Sequence, residues 1–131
     1  MGGDATDRDP AQGRSGQPVA TLKRRADFVR LQKGLRRSTP VFGLQAGPSP
    51  VGVGRFGFTV TKKTGSATER NRIRRRLKAA AQRATAGSLP GFDVVIVARR
   101  ACLHEPFASL SRSLAVEIAA AARRLPTHQK T

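Results

Sequence analysis

The chain contains neither tryptophan nor tyrosine, a single cysteine, and only 8 acidic side chains in 131 residues. Each scarcity excludes something. One thiol, Cys102, cannot close an intramolecular disulfide, so a disulfide-stapled secreted domain is ruled out and a reducing, cytoplasmic compartment is expected. The longest apolar runs, 94–98 and 118–122, fall far short of the about 20 residues that a membrane span requires. No apolar stretch follows the first residues, so no secretory signal is expected.

The shortage of acids also limits the chemistry. Beyond residue 17 the carboxylates are Asp27, Glu69, Asp93, Glu105 and Glu117, each alone in its segment. A carboxylate pair or a two-metal cage needs several converging acids. Glu69 reads more simply as a helix cap, and Asp93 as a turn residue at a strand entry. Cys102 and His104 are close in sequence, but a zinc site needs about four ligands and none accompany them. No catalytic residue and no protein-held metal or cofactor is expected. Gly52-Val53-Gly54-Arg55-Phe56-Gly57 spells a dinucleotide fingerprint, yet a strand follows it rather than a helix. It is read as a glycine-rich turn entering a strand.

What is abundant is positive charge. Lysine and arginine number 25, for a formal net charge of +17. Residues 1–17 carry Asp4, Asp7 and Asp9 against Arg8 and Arg14, with little to bury, and read as a disordered acidic, polar tail. Residues 18–125 read as one basic folded domain, and 126–131 as a C-terminal tail.

Within that domain the spacing predicts a short helix over Arg25–Lys33, a strand over Thr39–Ala46 and loop chemistry at Gly47-Pro48-Ser49-Pro50. Arg55–Thr61 alternates, with Phe56, Phe58 and Val60 on one face and Arg55, Gly57 and Thr59 on the other. Ser66–Arg83 is the clearest helix: Ser66 and Glu69 form a capping box, and Ile73, Leu77, Ala80, Ala81 and Ala84 trace an apolar stripe. A turn is expected at Leu89-Pro90-Gly91, a buried strand over Asp93–Ala98, and a last helix over Pro106–Arg124. The fold class is α+β: one small sheet with helices packed on it.

The strongest signal lies in residues 62–78. They hold Lys62, Lys63, Arg70, Arg72, Arg74, Arg75, Arg76 and Lys78 against one acid, Glu69. At about 100° per residue, with Ile73 inward, Asn71, Arg75 and Lys78 point outward, Arg72 and Arg74 lie on the two sides, and Arg70 and Arg76 flank the apolar stripe. An ordinary solvated helix mixes signs. This one does not, and its guanidinium groups repel one another unless phosphates lie between them, a task that suits their planar fork. A polyanion is the expected partner. Nothing reads as a helix-turn-helix, zinc finger or zipper, so no DNA is expected, and folded or single-stranded RNA fits better. Among the six phenylalanines, Phe56, Phe58 and Phe92 read as core, and Phe28 and Phe42 as groove residues able to meet a base.

Lys62-Lys63-x-Gly65-x-Ala67-x-x-Arg70-Asn71-Arg72-Ile73-Arg74-Arg75 resembles the signature of the bacterial ribonuclease P protein subunit. Leu22-Lys23-Arg24-x-x-Asp27-Phe28-x-x-Leu31 resembles that family's first helix, and 55–60 and 92–99 its later strands. The resemblance implies a small α/β sandwich, one mixed sheet with three helices and a left-handed βαβ crossover. It implies a protein that assists a catalytic RNA in removing the 5′ leader of precursor tRNA, the RNA using Mg2+ for the chemistry. By position, Lys62, Lys63, Arg70, Asn71, Arg72, Arg74 and Arg75, with Lys78 beside them, would face the catalytic RNA. Phe28, Phe42, Arg55, Gly57 and Thr59 would form the leader groove. Gln32 stands where many members carry a second aromatic, and Leu44 where some carry Tyr. A structural RNA-binding protein of ribosomal type, with no role in cleavage, is the alternative.

Overall fold

A computed structural model describes residues 20–85 and 91–125. The expected tails at 1–17 and 126–131, and Leu89 and Pro90 of the expected turn, lie outside the described residues. The elements run α1 (Arg25–Gln32), β1 (Leu35–Ser38), β2 (Phe42–Pro48), β3 (Phe56–Thr59), a 3-10 turn (Lys62–Thr64), α2 (Ala67–Thr85), β4 (Phe92–Ala98), a second 3-10 turn (Arg100–Leu103) and α3 (Phe107–Arg124). The sheet order is β1-β2-β4-β3. β2 pairs antiparallel with both β1 and β4, whereas β3 and β4 are parallel neighbours joined through α2.

Alternation sorts the sheet residues between two faces. Phe42, Leu44 and Ala46 of β2, Phe56 of β3, and Val94, Ile96 and Ala98 of β4 point to one side. There they meet Ile73, Leu77, Ala80 and Ala81 of α2 and Leu110, Leu114, Ile118 and Ala121 of α3 in the main core. Phe56 and Phe58 stack with ring centroids 5.8 Å apart, as residues two apart on one strand face can. Among the described residues the opposite side is covered by α1 and the segment before it, where Leu22, Leu31 and Val95 form a smaller cluster with Phe28 and Val97 at its margin.

α1 comes closest to the sheet at two strand residues that have no side chains. A β-carbon on Gly57 would stand 2.6 Å from the Phe28 ring, and one on Gly47 would stand 3.0 Å from Leu31 Cδ2. α2 begins on the capping box its sequence announced. The Glu69 amide donates to Ser66 Oγ at 3.2 Å, and the Ser66 amide donates to Glu69 Oε1 at 2.9 Å.

Two strand expectations need correction. Thr39–Ala46 is not one strand but the turn and second arm of a hairpin whose first arm is Leu35–Ser38. Pro40 has no amide for a ladder, and Thr39 Oγ1 accepts from the amides of Val41 and Phe42, which closes the turn. Gly47 and Pro48, expected as loop, instead end β2, paired with Asp93 and Phe92.

Candidate nucleic-acid interface

The basic helix presents its charges as its spacing requires. Ile73, Leu77, Ala80 and Ala81 are buried, while Asn71, Arg72, Arg74, Arg75 and Lys78 are exposed. Lys62 and Lys63, in the 3-10 turn that leads into α2, are exposed as well. Arg74 Nη1 donates to Asn71 Oδ1 at 3.1 Å, so Asn71 orients a neighbouring guanidinium without neutralising it. Arg70 is half-buried and donates to the Gly65 carbonyl at 3.2 Å, which holds it at the mouth of the helix.

Arg76 serves a different purpose. It is half-buried and donates to the carbonyls of Cys102 at 2.9 Å, Leu103 at 3.3 Å and Glu105. From the other side Arg100 donates to the Thr64 carbonyl at 3.0 Å and pairs with Glu69 at 2.9 Å. The hydrogen bond from Arg100 and that from the Ser66 amide hold the Glu69 carboxyl down at about 2. Two arginines thus bolt the 3-10 turn before α3 to the basic helix. Cys102 lies in that turn, fully buried, and donates to the Val41 carbonyl at 3.3 Å. Burial pushes its thiol pKa up, so it acts as core rather than as a nucleophile.

On the opposite sheet face the groove differs from its expected lining. Phe42 has no accessible surface and belongs to the main core, because it is in phase with Leu44 and Ala46. Gly57 is buried under Phe28 and Leu22. Arg55 keeps its place on this face, but its guanidinium is committed to Asp93 at 2.8 Å and lies 3.6 Å from Asp27. Phe28 and Thr59 remain partly exposed there. Leu44 is core, so the residue of β2 that meets the groove beside it is Gln45.

Asp93 also departs from expectation. It is not a turn residue: it lies within β4, is fully buried and receives Arg30 of α1 at 2.8 Å together with Arg55. Asp27 completes the cluster, 3.1 Å from Arg30. Two carboxylates and two guanidinium groups lock α1 to the start of β3. The Arg55 pKa is raised, first by its hydrogen bond to Asp93.

Beyond the covering helix, the sheet face stays open. Arg36, Ser38, Gly43, Gln45, Val97 and Arg99 line a cleft of about 310 Å3. Sequence reasoning passed over these residues, although the alternation Phe42-Gly43-Leu44-Gln45-Ala46 already sets Gly43 and Gln45 opposite the core. The molecule therefore carries two cationic surfaces on opposite faces of one sheet: a convex arginine helix and a shallow cleft. Among the described residues no three His, Cys, Asp or Glu side chains gather as a metal site, and no helix is long and apolar enough to cross a membrane.

The family model described as Ribonuclease P matches residues 17–121. A ribonuclease P protein component from Brucella suis is 38% identical over 125 residues, covering 85% of this chain and 86% of that relative. The ribonuclease P protein component of Bartonella quintana is 40% identical over 105 residues, covering 74% of this chain and 79% of its own. The fold matches that of the Staphylococcus aureus ribonuclease P protein, with a TM-score of 0.66 at 23% identity over 80% of this chain and 96% of that one. The Thermotoga maritima ribonuclease P protein gives 0.65 at 22% identity, over 76% and 96%. The signature on the arginine helix, the three helices on one mixed four-stranded sheet and these relatives agree: the chain belongs to the ribonuclease P protein family.

Proposed function

We propose that this chain is the protein subunit of a ribonucleoprotein endoribonuclease that removes the 5′ leader of precursor tRNA. In this reading the exposed face of α2 binds the backbone of a ribonuclease P RNA, and the open face of the sheet receives the single-stranded leader. The RNA, with Mg2+, carries out the hydrolysis. The protein contributes affinity and position, and it works in the cytoplasm.

The observation that supports this most is the state of the α2 arginines. Arg72, Arg74 and Arg75 are exposed and none is paired with a carboxylate among the described residues. Unneutralised guanidinium groups on a rigid helix are suited to phosphates at fixed spacing. The acids near them do not pair with them: Glu69 caps α2 and holds Arg100, and Glu105 forms no ion pair among the described residues. The family membership favours this reading over a ribosomal-type structural protein, which would share the charge but not the signature.

Reconstitution tests it. Added to its organism's ribonuclease P RNA at low magnesium, the chain should restore cleavage at the mature 5′ end, while RNA-free protein should leave the precursor intact. No restoration would reject the reading. Cleavage by nuclease-treated protein alone would reject the division of labour.

A further inference from the structure

We infer that Gly43 is a specificity-determining position, a bare patch of strand that seats one base of single-stranded RNA between Val97 and the guanidinium of Arg99. This rests on the leader-groove reading above and deepens it. Three other glycines touch the sheet packing. A β-carbon at Gly57 would strike Phe28, one at Gly47 would press Leu31, and one at Gly34 would collide with the Ala46 carbonyl. Gly34 meets backbone, Gly57 an aromatic ring and Gly47 the tip of a leucine, so each has a packing reason to be bare.

Gly43 is different. It sits inside β2, paired with Ser38 on one side and Val97 on the other, and its φ is not positive. A β-carbon there would meet nothing closer than Val97 Cβ at 3.8 Å, an ordinary cross-strand contact. Glycine in a strand interior forfeits side-chain packing and adds chain entropy to the unfolded state, so it weakens the strand without any packing gain here. What it leaves is room. The same built β-carbon would lie 3.9 Å from Arg99 Nη2, so a side chain at 43 would fill the space beside that guanidinium.

The surroundings are organised for a flat, polar-edged ligand. Arg99 Nη2 donates to Ser38 Oγ at 2.9 Å, which pins a planar cation at the border of the bare patch although the residue is otherwise exposed. Val97 is partly exposed and supplies methyl groups, and Thr59 follows it in the same register row. Gln45, in the next row, offers an amide donor and acceptor at the edge. A base laid on bare peptide and valine, with a guanidinium at its edge as hydrogen-bond donor, is held without any aromatic side chain. That suits a chain with no Tyr or Trp, whose Phe42 is spent in the core.

The test is Gly43→Val in the holoenzyme reconstituted with ribonuclease P RNA. It compares affinity for precursor tRNA with that for mature tRNA, beside thermal melts of the free protein. The variant should melt at or above the parent temperature, because a β-branched residue has space in this strand. It should lose preference for the precursor by about tenfold, within the range for one seated base. A melting temperature well below the parent would overturn the inference, since the fold would then require the glycine. An unchanged preference would overturn it too, leaving the groove reading intact if the parent favours the precursor. A parent with no such preference would reject the groove reading and the inference together.

Discussion

The guanidinium of Arg55 lies side-on to the buried carboxylate of Asp93, with Nε on one oxygen at 3.2 Å and Nη2 on the other at 2.8 Å. The Arg55 amide donates to the first oxygen as well, at 3.0 Å. Arg30 takes the second oxygen from α1, also at 2.8 Å. A single carboxylate therefore ties the helix that walls the groove to the strand that floors it.

Removing that carboxylate leaves two arginines facing a buried vacancy. Asp93→Ala should destabilise the fold by about 3–5 kcal/mol, the penalty typical of breaking a buried pair from one side. Denaturant unfolding of parent and variant measures it. A change below about 1 kcal/mol would mean that water reaches Asp93 and screens the pair.

The close approach of Phe28 to Gly57 gives a second expectation. Gly57→Ala forces a methyl against the ring and should cost about 1–3 kcal/mol, as overpacking does. Phe28→Ala in the same background should recover part of the loss, because the ring is what the methyl strikes. A double-mutant cycle in denaturant reads the coupling. Strict additivity would show that the helix simply moves aside.

Much of this was legible in advance, and the exceptions share a cause. The capping box of α2, the inward stripe through Ile73 and Leu77, and the alternation of Phe56 and Phe58 are local patterns that tertiary packing kept. β1 was not readable. Leu35-Arg36-Arg37-Ser38 has one apolar residue, and its Arg37 is satisfied by Glu117 from α3, a partner 80 positions away. Asp93 likewise looks like a turn residue until the chain brings Arg30 and Arg55 to it. Phe42 is in phase with Leu44 and Ala46, and that local pattern marks it as core rather than as a groove residue. Charge on the outer face of α2 is legible from the sequence because a helix face depends only on spacing.

Glu69 gives the pH dependence. Its carboxyl titrates at about 2 in the fold against 4.5 for the free group, held down first by the hydrogen bond from Arg100. A depressed carboxyl contributes stability that is complete above the unfolded value and fades as the pH falls toward the folded one. Between about pH 4.5 and 2, then, the parent should lose melting temperature more steeply than Glu69→Gln. Parallel slopes would show that the cap does not persist in solution.

The net charge of +17 makes the free fold sensitive to anions. Sulfate should raise the melting temperature above that in chloride at matched ionic strength, because a divalent anion can bridge neighbouring arginines of α2. Equal melts in the two salts would leave general screening as the whole effect.

Arg76 and its neighbours should separate by role. Arg76→Ala loses the clamp on the Cys102, Leu103 and Glu105 carbonyls and should destabilise by about 1.5–3 kcal/mol. Its effect on RNA affinity per folded molecule should be small. Arg72→Ala and Arg75→Ala, on exposed positions, should leave the melt unchanged.

The salt dependence of binding to ribonuclease P RNA tests the assignment of the two faces most directly. With Arg72 and Arg75 both replaced by Ala, affinity should fall and the slope of log K against log salt should flatten by about 0.7–0.9 per lost phosphate contact. The holoenzyme's preference for precursor over mature tRNA should persist. An unchanged slope and affinity, with that preference lost, would contradict the account and assign the α2 face to the leader instead.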